Sequence, residues 1–160
     1  MLFEPLFAHA KQQPQQTAVI DDRGQYTHAQ FAAAAAGMAM YLSSQTQQPR
    51  VGLLLPTSGG FAASFYGTLL AGKTVVPINF LLGERDIAHI IQDSGIDTVV
   101  SVAPLSAKLK DLPQGGSLKV IDLVELMQQF APCWPGREPA SWSSRPRPGC
   151  RRRRRTRSRC

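Results

Sequence analysis

At 160 residues and 17.5 kDa the chain is long enough for one compact domain, and 43% hydrophobic against 18% charged residues excludes disorder throughout. Its longest apolar stretch, Phe31 to Leu42, is short of the roughly 20 residues of a membrane span. The start, Met1 to Pro5, lacks the basic region and apolar core of a signal peptide, so a cytoplasmic protein without a transmembrane segment is expected. The net charge of +7 is unevenly placed: residues 1–131 carry 8 basic and 10 acidic side chains, whereas residues 132–160 carry ten Arg and one Glu. Two parts are expected, a folded body over 1–131 and a disordered basic tail over 132–160.

Within the body, Leu2, Phe3, Leu6, Phe7 and Ala10 recur at helical spacing, and the polar stretch Gln12 to Gln16 ends that helix. Thr17 to Ile20 and Gln25 to Thr27, joined through the turn Asp21-Asp22-Arg23-Gly24, read as a hairpin. Thr27 and Gln30 have the spacing of a capping box for an Ala-rich helix with Phe31, Ala35, Met38 and Leu42 inward, fading at Ser43 and Ser44. The small side chains of this helix allow close packing on a neighbour. From residue 50 the period changes. Arg50 to Leu55 is a continuous apolar run, as a strand covered on both faces requires. Pro56 stops it, and Thr57 or Ser58 can cap a helix with Phe61, Phe65, Thr68 and Leu69 on one side and Gly72 at its end. Thr74 to Ile78 is a second such strand. A helix follows from Glu84 to Asp93, with Ile87, Ile90 and Ile91 inward and Ser94-Gly95 as the stop. Asp97 to Val102 is a third strand, Leu118 to Ile121 a fourth, and Leu123 to Phe130 a helix. Short buried strands separated by helices make parallel βαβ units, so the expected class is α/β: a parallel sheet with helices on both faces, doubly wound.

The residues for chemistry are sparse. The body has no cysteine, which excludes thiol catalysis and a Cys-rich zinc site there. His9, His28 and His89 fall on three separate helices or helix starts without metal-ligand spacing. Asp21 and Asp22 read as a solvated turn pair, and Glu84-Arg85-Asp86 as a helix start with acidic residues at the positive end of the dipole. Thr57-Ser58-Gly59-Gly60 has the strand–loop–helix placement that binds phosphate through backbone amides. It lacks both the Walker spacing and G-x-G-x-x-G. Lys73 comes at the far end of the following helix, where it cannot reach back. Capping and tight packing account for the loop without a ligand.

The order of segments carries a resemblance. Tyr26-Thr27-His28-Ala29-Gln30-Phe31, Arg50 to Pro56, Phe65 to Gly72, Val75 to Asn79 and Glu84 to Gly95 are five consecutive landmarks. Over Leu2 to about Val102 the chain resembles the N-terminal region of AMP-forming acyl-CoA synthetases and their adenylating relatives. The resemblance implies ATP-dependent activation of a carboxylic or fatty acid to an acyl-adenylate, then transfer to coenzyme A, with ATP, Mg²⁺ and CoA serving the full-length family. That family's phosphate loop, T-S-G-T-T-G-x-P-K-G, lies downstream of these landmarks and is not reached; Thr57 to Gly60 shares three of its letters at a different place. The adenine-binding motif, the ribose-binding Asp and the C-terminal domain with its catalytic Lys are likewise absent. No catalytic, cofactor-binding or metal residue is therefore assigned to this chain, and no cofactor is expected on it alone.

After Ala131 the patterning stops: five Pro, ten Arg, four Ser, three Cys and two Trp share 29 residues, with no Lys. Such a composition is what a shifted frame in GC-rich DNA encodes, and an out-of-frame end to a longer ligase gene is the reading we adopt. The alternatives are a small basic nucleic-acid-binding protein acting through Arg151–Arg159 and a non-catalytic module docking on a complete ligase. No specific nucleic acid is expected, only weak polyanion binding by the tail.

Overall fold

The computed structural model describes residues 2–112 and 117–129. The expected tail, 132–160, lies outside them. Helix α1 (Glu4–Gln12) begins two residues later than its apolar pattern, with Pro5 in the first turn, where its missing N–H leaves no bond unmade. Strands β1 (Thr17–Asp21) and β2 (Gly24–Thr27) pair antiparallel as a separate two-stranded sheet. Thr27 then caps α2 (His28–Gln45). Its Oγ1 accepts from the Gln30 N–H at 3.3 Å, and the Gln30 side chain accepts from the Thr27 N–H at 2.9 Å, closing the expected capping box.

The remainder runs β3 (Arg50–Leu54), α3 (Gly59–Leu70), β4 (Thr74–Pro77), α4 (Glu84–Ser94), β5 (Thr98–Ser101), α5 (Ala103–Lys110), β6 (Lys119–Asp122) and α6 (Leu123–Gln129). The four later strands form one parallel sheet in the order β4-β3-β5-β6. Because the chain goes out to β4 and then returns to the other side of β3, its helices fall on opposite faces. Val51, Leu53, Leu55, Val100 and Ile121 face α2, α3 and α6, whereas Leu54 and Val99 face Ile87 and Ile91 of α4 and Leu109 of α5. The expected α/β, doubly wound architecture is thus present. Among the described residues, β4 and β6 are edge strands paired on one side, and no helix is long and apolar enough to cross a membrane.

The structure adds one element and refines one helix face. Residues 103–110 were given no element, yet they form α5: Pro104 pre-sets its first turn, and Leu109, its one fully buried side chain, is too little to make an apolar stripe. On α3 the side lined by Phe61, Phe65, Thr68 and Leu69 is unevenly buried. Phe61, Phe65 and Leu69 are half-buried, while Gly59, Ala63, Ser64, Gly67 and Thr68 are buried, because small residues let α3 press onto the Ala-rich α2. A Cβ on Gly67 would come 2.5 Å from Met38 Cβ and 2.8 Å from the Ala35 carbonyl oxygen.

The N-terminal ends of the strands make one polar pole. Lys73 Nζ donates to the Thr46 and Gln48 carbonyls at 2.9 and 2.8 Å, and Lys119 Nζ to the Gln45 carbonyl at 2.9 Å. Arg50 Nη1 donates to the Ser94 carbonyl at 3.0 Å. Three cations at strand starts thereby meet the negative ends of α2 and α4. Lys73 is fully engaged here, away from the loop at 57–60, as its position in sequence implies.

Opposite effects are expected from two glycine substitutions in this helix pair. Gly67→Ala should lower unfolding free energy by about 1–3 kcal/mol, the cost of overpacking. Gly37→Ala, where nothing lies within 4 Å of an added Cβ, should raise it by about 0.5–1 kcal/mol through helix propensity. Urea denaturation of both variants checks the pair.

Candidate functional site

The opposite pole holds a cavity of about 450 Å³. It opens outside the C-terminal ends of β3, β5 and β6, at Leu55 to Thr57, at Val102 to Pro104, and at Leu123, Val124 and Met127. The chain changes direction between β3 and β5, so this is the switch-point crevice where open α/β sheets bind ligands. The hairpin turn, Asp21 to Arg23, and the N-terminus of α3 complete the mouth, with Phe31, Ala34 and Ala63 in the apolar wall.

Asp21 organises that mouth. Its Oδ1 accepts from the N–H groups of Arg23 and Gly24 at 2.8 and 3.2 Å, and from the Tyr26 hydroxyl at 3.2 Å. Its Oδ2 accepts from the Gly59 N–H at 2.9 Å, linking the hairpin to a helix 38 residues away. Burial opposes the charge, but these bonds outweigh it and hold the Asp21 carboxyl below the usual aspartate range. Burial of Tyr26 and the carboxylate beside it push the tyrosine hydroxyl up. Asp21 is therefore a correction to the solvated turn pair expected from sequence; only Asp22 is exposed.

The loop at 57–60 is explained by the same contacts. Ser58 is the cap: its Oγ accepts from the Phe61 N–H at 3.2 Å. The amide at the positive end of α3 that an external anion would seek, that of Gly59, is held by Asp21. The carboxylates of Asp21 and Asp22 stand at the mouth, and Lys73 is bound at the other pole. The histidines do not gather into a site either. His9 and His28 stack with ring centroids 5.2 Å apart, His89 lies on α4, and no cluster of three metal-ligating side chains occurs among the described residues. Arg151–Arg159 lie outside the described residues.

The sequence matches a family described as AMP-binding enzyme over residues 6–149. A syringomycin synthase of Pseudomonas syringae pv. syringae is 32% identical over 146 residues, which is 90% of this chain and 22% of that protein. A long-chain-fatty-acid–CoA ligase of Mycobacterium tuberculosis is 42% identical over 55 residues, 34% of this chain and 11% of that protein. The chain thus corresponds to a minor part of the length of these relatives. Among solved structures, the N-terminal domain of FACL13 from Mycobacterium tuberculosis superimposes with a TM-score of 0.69 at 27% identity, over 84% of this chain and 36% of that one. The o-succinylbenzoate-CoA synthetase of Bacillus subtilis superimposes with a TM-score of 0.68 over 78% of this chain and 32% of that one, and at 21% identity this shows a shared fold.

The Asp21 contacts carry a pH signature. The folded-state pKa lies below that of the unfolded chain, near 3.9, so the contribution is fully present above that value and drains away as pH falls through the folded one. Asp21→Ala should lose roughly 1 kcal/mol at neutral pH, the scale of a lost helix cap. The gap to the unaltered protein should close below about pH 4. Denaturant midpoints of both proteins across pH 3 to 7 (roughly the span over which aspartate titrates) provide the measurement.

Proposed function

The chain belongs to the AMP-binding enzyme family, and from that premise we propose that it supplies the N-terminal part of an AMP-forming acyl-CoA synthetase. In the reaction meant, a carboxylate oxygen attacks the α-phosphorus of ATP to give acyl-adenylate and pyrophosphate. The thiol of coenzyme A then displaces AMP to give the thioester. A long-chain or other fatty acid is the substrate class, and the cytoplasm, where ATP and coenzyme A are at hand, is the location. The match over residues 6–149 carries this reading.

The same proposal holds that these 160 residues do not adenylate by themselves. No T-S-G-T-T-G-x-P-K-G segment occurs in the sequence, and the helix N-terminus that most resembles a phosphate site is filled by Asp21. We place the end of the patterned body at Ala131, within a family match that runs on to residue 149, and DNA downstream of the Ala131 codon should continue, in another frame, into a phosphate loop. A second reading has a specific observation behind it: the match to a syringomycin synthase covers 90% of this chain. The adenylation domain of a peptide synthetase would pass its acyl group to a carrier thiol instead of coenzyme A.

Incubation of the purified chain with ATP, Mg²⁺, coenzyme A and a panel of fatty and amino acids should release no pyrophosphate above a boiled control. Acid-dependent release would overturn the claim of incompleteness. Release with amino acids only would move the assignment to the second reading.

A further inference from the structure

The cavity at the strand ends combines an apolar wall with a charged rim. Phe31, Leu55, Ala63 and Leu123 in its lining are buried side chains. Its volume of about 450 Å³ lies within the roughly 300–1,000 Å³ of small-molecule sites. The charged side chains of the lining are Asp21, Asp22 and Arg23, two carboxylates against one guanidinium, so the rim is net negative. Asp21 is the one held in fixed geometry. Its donors among the described residues are the N–H groups of Arg23, Gly24 and Gly59 and the Tyr26 hydroxyl, and all four are neutral. Bonds of this kind favour the ionised carboxylate without cancelling its charge. A carboxylate offers about four acceptor sites over its two oxygens; three donors crowd Oδ1, whereas Oδ2 holds only the Gly59 N–H. An oriented anion with spare acceptor capacity therefore stands at the entrance to an apolar space. A carboxylate or phosphate ligand would be repelled there, and a purely apolar one would leave the charge unanswered. An ammonium group on an apolar body answers both features.

We propose that this cavity binds an amphipathic organic cation, a primary ammonium paired with Asp21 Oδ2 and carrying an aliphatic or aromatic body against Phe31, Leu55 and Leu123. The ammonium donates a charge-assisted hydrogen bond, the stronger kind, and burial of the body adds the apolar contribution. Thr57, exposed on the same rim, offers a hydroxyl to a second ammonium proton. Zwitterionic amino acids are disfavoured, because their own carboxylate enters a rim that is already negative. This site goes beyond the ligase reading, since it uses the described residues of this chain and needs neither ATP nor coenzyme A.

The test is an NMR titration of the full-length, isotope-labelled chain, read at the Gly59 amide and the Met127 methyl. Phenethylammonium is the probe, with 2-phenylethanol, 3-phenylpropionate and methylammonium as comparisons. Both signals should shift saturably with phenethylammonium, at a Kd about tenfold or more below that of each comparison, as a bond to a charged group implies. Asp21→Asn should remove the advantage over 2-phenylethanol. Ala103→Trp, at an exposed position of the lining, should abolish binding while the rest of the spectrum stays native. The ligand comparison needs no variant, so it decides the matter even where Asp21→Asn does not fold. No saturable shift with phenethylammonium would overturn the proposal. So would equal binding of 2-phenylethanol, which makes the charge irrelevant, or of methylammonium, which reduces the site to a surface acid. Tighter binding of 3-phenylpropionate would make it a site for an acid instead, and unchanged affinity in a folded Asp21→Asn protein would put the cation elsewhere. None of these results bears on the ligase assignment, which rests on pyrophosphate release.

Discussion

One carboxylate decides what the ligand-facing pole of this molecule can do. The N-terminus of a helix after a parallel strand offers free amides and a positive dipole end, and an anion will be found there. Here the anion is internal. Asp21 reaches from the hairpin turn to the Gly59 N–H, and the bond does two things together. It fastens a two-stranded sheet, which would be marginal alone, to the main domain. It also takes up the first amide of α3, one of the backbone donors that an anion at a helix start would use.

The two poles of the sheet divide the polar work. At the N-terminal ends of the strands, Lys73, Lys119 and Arg50 hold helix carbonyls, and Thr46 donates to Asp97 at 3.1 Å. These contacts join helix ends to strand starts and leave that pole structural. At the C-terminal ends the described residues present an apolar crevice with a carboxylate rim and no lysine in its lining. The chain belongs to an AMP-binding family, and this crevice lies where an open α/β sheet takes a ligand.

Much of this was legible in the residues. The capping box at Thr27 and Gln30, the stripe from Phe31 to Leu42 and the continuous apolar strands follow from local rules, and the structure places them within a residue or two of their expected bounds. The landmark order across the first hundred residues pointed to the family. What escaped depends on contacts that period and propensity do not encode. Helix α5 buries too little to leave a stripe. On α3 the spacing marked one side of the helix, but nothing in it announces that Gly67 meets Met38 and Ala35 of α2 so closely. Asp21 looks like a turn residue because it is one: its bonds to Arg23 and Gly24 are local, and nothing in the sequence announces the one to Gly59.

The central claim, that the carboxylate of Asp21 is the anion at the start of α3, is tested most directly by NMR. The Asp21 carboxyl carbon and the Gly59 amide proton would be followed together through an acid titration. The account predicts one shared midpoint, below the ordinary aspartate value near 3.9, at which both signals move. An ordinary midpoint for Asp21, with a Gly59 amide that ignores it, would contradict the account.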